Sequence, residues 1–238
     1  MLTGEETLQG QEIKKRLRIL IDEAAEIDLH LAQRLDETNY WLRDLRPGTL
    51  TAKKLLSDFL LQLIRDSEIW LALKTLSPEQ IETELLTKMT PTQKYWYQVL
   101  FPKWLAKNDD HLYIWRQKLM TGEFIQEDEQ FLNNLAKDIV NRGGSVYRRY
   151  IADLSMGTDL IVSHRQEKAI CLQVTTLAEK YYSEKFAKWQ ETMSLWHIER
   201  GLFVSYNPSE NEAMQRLINI TLWSSDQLKE GSYQAINC

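Results

Sequence analysis

GTDLIVSHRQEKAICLQVTT, residues 157–176, is two apolar runs joined by a polar turn. Leu160–Ile161–Val162 and Ile170–Cys171–Leu172 have strand composition, and His164–Lys168 between them is a polar turn of hairpin length. Side chains alternate along a strand, so Asp159, Ile161 and Ser163 share one face of the first, and Cys171, Gln173 and Thr175 share one face of the second. With the turn at His164–Lys168, Ser163 pairs with Ala169 and Asp159 falls opposite Gln173, their Cβ atoms about 5 Å apart. A slip of one residue would undo that pairing. The carboxylate at the mouth of this hairpin has two readings. It closes an Asx turn, or its oxygen and the amide oxygen of Gln173 share a hard cation such as Mg²⁺, at roughly 2.1 Å from each.

Working outward, EDEQFLNNLAKDIVNRGG reads as a helix with Phe131, Leu132, Leu135 and Ile139 on one side, closed by Gly143–Gly144. SVYRRYIADL reads as a strand, on which Arg148 and Arg149 point to opposite faces so that only one can line a groove. After the hairpin comes a helix, TLAEKYYSEKFAKWQETMSLWHI, with Thr176 and Glu179 spaced as a capping box and its N–H groups aimed where a phosphate would suit. RGLFVSY follows as a fourth strand, and NPSENEAMQRLINITLW as a last helix with Ser209 and Glu212 as its box. The order is helix, three strands, helix, strand, helix.

Before residue 122 the text is helical. Ile13, Leu17, Leu20, Ile21, Ala24, Ile27, Leu31 and Leu35 recur at three and four, in one long amphipathic helix or one broken once, ending at Pro47–Gly48. TAKKLLSDFLLQLIRDSEIWLALKTL, SPEQIETELLTKM and TPTQKYWYQVL give three more, with Ser77 and Thr90 as caps and Pro102 ending or kinking the last. The expected class is α+β, with a helical domain over 1–121 and a mixed domain over 122–238.

Composition narrows the chemistry. The chain has 238 residues, 43% of them hydrophobic and 26% charged, enough to bury a full core. Its apolar runs are far shorter than the roughly 20 residues of a membrane span, and the first residues carry no basic-then-apolar leader, so a cytoplasmic address without membrane contact is expected. The formal charge of −5 gives no general pull toward nucleic acid, so DNA would need a local basic surface. Four scattered histidines and two cysteines, Cys171 and Cys238, offer no zinc spacing, and reduced thiols are expected. No dinucleotide, Walker or nucleophile-elbow motif occurs. Of the eight tryptophans, Trp96, Trp104 and Trp115 are spaced to pack a helical core or to stack single-stranded bases.

The order of elements over residues 124–223, with Asp159 opening the second strand behind MGT and a polar/x/polar element in the third, resembles the restriction-endonuclease-like, or PD-(D/E)XK, nuclease superfamily. That resemblance implies a restriction-endonuclease-like α-β-β-β-α-β-α core and phosphodiester hydrolysis of DNA with Mg²⁺ or Mn²⁺. The family pattern is Asp, then acid-x-Lys on the next strand; the matching positions here are Asp159, Gln173, Val174 and Thr175. Gln173 keeps an oxygen for the cation but loses a charge, and Thr175 cannot supply the ammonium.

A lysine moved from strand to helix is a variation of that family, which points to Lys185, about 60° from the apolar stripe of Tyr182, Phe186, Trp189, Met193 and Trp196. Lys188, about 120° away, faces water. Asp128, in phase with Phe131, Leu132 and Leu135, is the candidate for the missing negative charge, ahead of Glu129. The catalytic set is then Asp159, Gln173 and Lys185, and the metal set Asp159, Gln173 and Asp128. Each residue also has a plain structural use: Gln173 as an amide satisfied by backbone, Asp128 as an acid favoured by a helix start, Lys185 as a lysine lying over rings. The other reading of the chain is a catalytically silent copy of the fold that binds DNA or a protein, with the helical half as docking surface.

Overall fold

The computed structural model describes residues 10–43, 45, 49–121, 126–176, 179–207 and 212–237; the side chains of 51, 84, 85, 126–128 and 179–181 lie outside the description. Helices α1 (Gly10–Ile27), α2 (Leu29–Leu42), α3 (Thr49–Ala52), α4 (Lys54–Thr75), α5 (Pro78–Gln80), α6 (Pro91–Tyr95), α7 (Phe101–Ala106) and α8 (Leu112–Thr121) come first. The long amino-terminal helix is two. Asp28, in extended backbone at φ −149°, accepts the N–H groups of His30 and Leu31 at 3.0 and 3.3 Å, which caps α2 and ends α1. Its other carboxylate oxygen accepts from the Trp70 indole at 2.9 Å, so the break is also tied to α4. Ser77 with Gln80 and Thr90 with Gln93 form complete capping boxes. Between α6 and α7 the chain winds wider, as a π-helical turn at Trp96–Leu100, and Pro102 falls in the first turn of α7, where its missing N–H does no harm.

The compact units do not follow the linear cut expected at residue 122. Met1–Thr87 with Leu112–Phe124 form one unit, and Lys88–His111 with Ile125–Cys238 the other. Residues 88–111 therefore belong with the sheet. Their side chains explain why: the Tyr97 and Tyr147 hydroxyls meet at 3.2 Å, and buried Asp109 accepts from the Trp104 indole at 3.1 Å and from the Ser155 hydroxyl.

In the sheet-bearing unit α9 (Gln126–Asn141) leads through Gly143 into β1 (Ser145–Tyr147), α10 (Tyr150–Met156), β2 (Leu160–Ser163), β3 (Ile170–Thr175), α11 (Glu179–Leu195), β4 (Arg200–Ser205), α12 (Ala213–Gln227) and β5 (Ser232–Asn237). Among the described residues the sheet has five strands in the order β1-β2-β3-β4-β5, antiparallel from β1 to β3 and parallel from β3 to β5. Leu160 pairs with Leu172 and Ile161 with Cys171, the register that puts Asp159 opposite Gln173.

One face of the sheet, Leu160, Val162, Ile170, Leu172, Leu202 and Val204, packs on Leu132, Leu135 and Ile139 of α9 and Leu217, Ile218 and Leu222 of α12. The other carries Asp159, Gln173, Thr175 and Phe203, and α11 lies on it: the rings of Tyr182, Phe186 and Trp189 surround Phe203 at centroid distances of 5.5, 5.7 and 5.5 Å. The apolar stripe read on this helix is thus its contact face.

Two expectations are corrected, and one strand is new. SVYRRYIADL is a short strand and then a helix, because Tyr150, Ile151, Ala152, Ser155 and Met156 are all buried at helical spacing and left-handed Gly157 caps them. Glu212 precedes α12 at φ 74°, so it cannot be the third residue of a capping box; Ser209 lies outside the described residues, as do Leu177 and Ala178 between Thr176 and α11. Strand β5 went unread because its half-exposed residues show no apolar alternation.

At Gly201 the Trp189 ring of α11 lies directly against the β4 backbone. A Cβ there would lie 2.6 Å from Cη2 and 3.0 Å from Cζ2 of Trp189. Gly201→Ala should therefore destabilise the protein by about 1–3 kcal/mol, read from urea midpoints at unchanged slope, and Trp189→Leu in the same chain should relieve part of the loss. A Gly201→Ala protein as stable as wild type would show that the indole shifts without cost.

Candidate active site

Asp159 stands at the point where β2 stops pairing with β3, whose backbone register ends at Leu160↔Leu172. Its Oδ2 takes over: it accepts the backbone N–H of Val174 at 2.7 Å and the Nε2 of Gln173 at 2.8 Å. Oδ1 accepts no hydrogen bond among the described residues. The same Gln173 nitrogen also donates to the Val174 carbonyl at 3.3 Å, so one N–H₂ group bridges a carboxylate oxygen and a backbone oxygen. Lys185, from α11, donates from Nζ to Thr175 Oγ1 at 2.9 Å. Three of the residues picked from the sequence, Asp159, Gln173 and Lys185, are thus gathered at the carboxy-terminal end of β3, where parallel strands place their ligand crevice.

The approach to Asp159 is held by α11 as well. Gly157, left-handed at φ +57°, turns the chain from α10 into β2, and its carbonyl accepts the Trp189 indole N–H at 2.8 Å. The Trp196 indole donates to the Ser155 carbonyl, also at 2.8 Å.

Burial pushes the Asp159 carboxyl up to about 8, and the neighbouring Asp153 carboxylate pushes the same way; the Val174 N–H, Arg148 and Lys185 oppose them. Asp153 and Arg148 were not picked from the sequence. Asp153 was hidden by reading its helix as a strand. Arg148 belongs here because Arg149 is the buried one, lying over the Tyr147 ring at 3.7 Å, whereas Arg148 reaches Asn133 Oδ1 at 3.3 Å and Glu129 at 3.9 Å.

The other candidates sort plainly. The side chain of Asp128 lies outside the described residues. Glu129 is held by Arg148, one of the charges acting on Asp159. Lys188 is exposed and pairs with Glu184 at 2.7 Å, facing water as its helical angle requires. Among the described residues no three His, Cys, Asp or Glu side chains gather where a metal would sit. Trp96, Trp104 and Trp115 are at most 1% exposed, so they are core and not base-stacking platforms. Cys171 is a buried free thiol pushed up to about 12 by burial, inert at neutral pH; Cys238 lies outside the described residues. His164 fixes the hairpin turn, its Nδ1 2.8 Å from Asp226 Oδ2 while Asp226 Oδ1 accepts the Gln166 N–H at 2.9 Å.

The raised Asp159 carboxyl makes stability depend on pH. The fold binds this proton more tightly than the unfolded chain, whose carboxyl titrates near pH 4, so the contribution is full below about pH 4 and is lost as pH rises toward about 8. Asn is isosteric, and its oxygen can serve both Val174 and Gln173. Asp159→Asn should thus melt close to wild type at pH 4.5 and at least ~3 °C above it at pH 8.5, since about 1 kcal/mol moves a domain of this size by 2–4 °C. An equal difference at both pH values would show that Asp159 does not ionise in that window.

Compared with known proteins, the chain matches no family model, no curated protein and no solved structure.

Proposed function

We propose that the sheet-bearing unit is a restriction-endonuclease-like (PD-(D/E)XK) module that hydrolyses DNA phosphodiester bonds with Mg²⁺ or Mn²⁺. The observation that carries this reading is the contact of Lys185 Nζ with Thr175 Oγ1 at 2.9 Å. It brings an ammonium from α11 to the strand position where the family pattern has its lysine, on the face of the sheet that holds Asp159. The element order supports it too: α9, three antiparallel strands, α11, a parallel β4 and α12 follow the family sequence of elements, with α10 inserted after β1.

A cation fits the oxygens at this end of β3. Asp159 Oδ2 and the Val174 carbonyl both converge on one nitrogen, and Asp159 Oδ1 accepts nothing among the described residues. Asp159, Gln173 through its amide oxygen and the Val174 carbonyl would hold it. When bound, it would polarise a phosphoryl oxygen and acidify a water molecule. Lys185 would offset negative charge on the phosphate as the attacking oxygen adds, and Arg148, which also acts on Asp159, would add to the positive field.

A second reading has its own observation. Gln173 turns its N–H₂, not its oxygen, toward Asp159, the arrangement of a satisfied buried pair and of a silent module that binds DNA or a protein without cutting.

One gel assay separates the two. Wild type should nick or cut DNA with Mn²⁺, Asp159→Ala should not, and Lys185→Ala should be at least tenfold slower, about 1.4 kcal/mol of transition-state stabilisation. Moving the lysine back to the strand, Thr175→Lys in the Lys185→Ala chain, should recover activity. No cleavage by any of these folded proteins leaves the silent module, and cleavage that survives Asp159→Ala puts the chemistry elsewhere.

A further inference from the structure

A hydrogen-bond donor of the protein stands where a ligand oxygen of the cation would be. Gln173 Nε2 lies 2.8 Å from Asp159 Oδ2 and 3.3 Å from the Val174 carbonyl oxygen, both of which the reading above gives to the metal. An amide nitrogen carries two polar hydrogens, so it donates at once to Asp159 Oδ2, which also accepts the Val174 N–H, and to the Val174 carbonyl. The amide oxygen points away, on the Gly157 side, where a Cβ added to that glycine would be 3.7 Å from it.

The oxygen and nitrogen of a carboxamide have nearly the same size. A half-turn about the last side-chain torsion exchanges them without moving the rest of the residue. With the nitrogen inward, the site is closed by its own hydrogen bonds. With the oxygen inward, three oxygens, from Asp159, Gln173 and the Val174 carbonyl, face one another, and a cation can sit between them. A glutamate at 173 has no such second state, since both its ends are oxygens.

We infer that Gln173 is a rotating plug: in the metal-free protein its N–H₂ stands where its oxygen would face a cation, hydrogen-bonded to the Asp159 and Val174 oxygens, and binding of a divalent cation turns the amide so that its oxygen becomes a ligand. This rests on the proposed metal site and deepens it. Metal binding here must break two internal hydrogen bonds that a glutamate would not have made, so the site favours the empty state until the cation concentration is high.

The test follows the side chain itself in the full-length protein labelled with ¹⁵N. The Gln173 N–H₂ signals are assigned by their absence in Gln173→Glu, and the Val174 backbone N–H, bonded to Asp159, reports on the carboxylate. Without metal, the Gln173 hydrogens should exchange slowly compared with those of exposed glutamines. Titration with Mg²⁺ should shift them and speed their exchange, in step with a shift of Val174, and Asp159→Asn should abolish both responses. If Mg²⁺ moves Val174 in an Asp159-dependent way while the Gln173 signals keep their position and protection, the plug is wrong and the metal site stands. If millimolar Mg²⁺ moves neither signal, the metal site and the plug fall together.

Discussion

The hydrogen bond from the Val174 backbone N–H to Asp159 Oδ2, 2.7 Å long, is the constraint on which the candidate site depends. Strand β2 runs out of backbone partners at Leu160, while β3 continues to Thr175 beside β4. A buried N–H left there without an acceptor would cost about 1–3 kcal/mol. The carboxylate removes that cost by acting as the next acceptor in the ladder. It draws the carbonyl and side-chain amide of β3 to the same spot, so a local need of the sheet gathers the polar atoms at its open end.

Helix α11 packs against that arrangement. Its rings pack around Phe203 on β4, its Trp189 indole holds the carbonyl of Gly157, and the Trp196 indole just past its end holds that of Ser155, in the segment that leads into Asp159. The same helix delivers Lys185 to Thr175. Packing and chemistry are coupled through one element: the aromatic stripe fixes the rotation of α11, and that rotation decides which lysine reaches the strand and which, Lys188, pairs with Glu184 in solvent.

Asp159 is held in a state that the sheet tolerates better protonated. Burial and Asp153 favour the neutral acid, while Lys185 and Arg148 favour the anion.

Much of this was legible in the chain. The two apolar runs of residues 157–176 marked the strands, and placing the turn at His164–Lys168 gave the pairing of Asp159 with Gln173 that the register Leu160↔Leu172 carries; both faces of these strands are buried, so the apolar pattern alone did not fix that register. The 3.6-residue spacing identified α9 and α11, the contact face of α11 and the exposure of Lys188. Tertiary structure decided what short or long-range patterns leave ambiguous. Tyr150–Met156 became a helix because all five of its buried residues find partners in that form. Residues 88–111 joined the sheet through contacts with residues some fifty positions away, such as Tyr97 with Tyr147 and Asp109 with Ser155, which no local pattern encodes. The direction of the Gln173 amide was likewise beyond the sequence, since only the three-dimensional placing of the Asp159 and Val174 oxygens gives its nitrogen two acceptors.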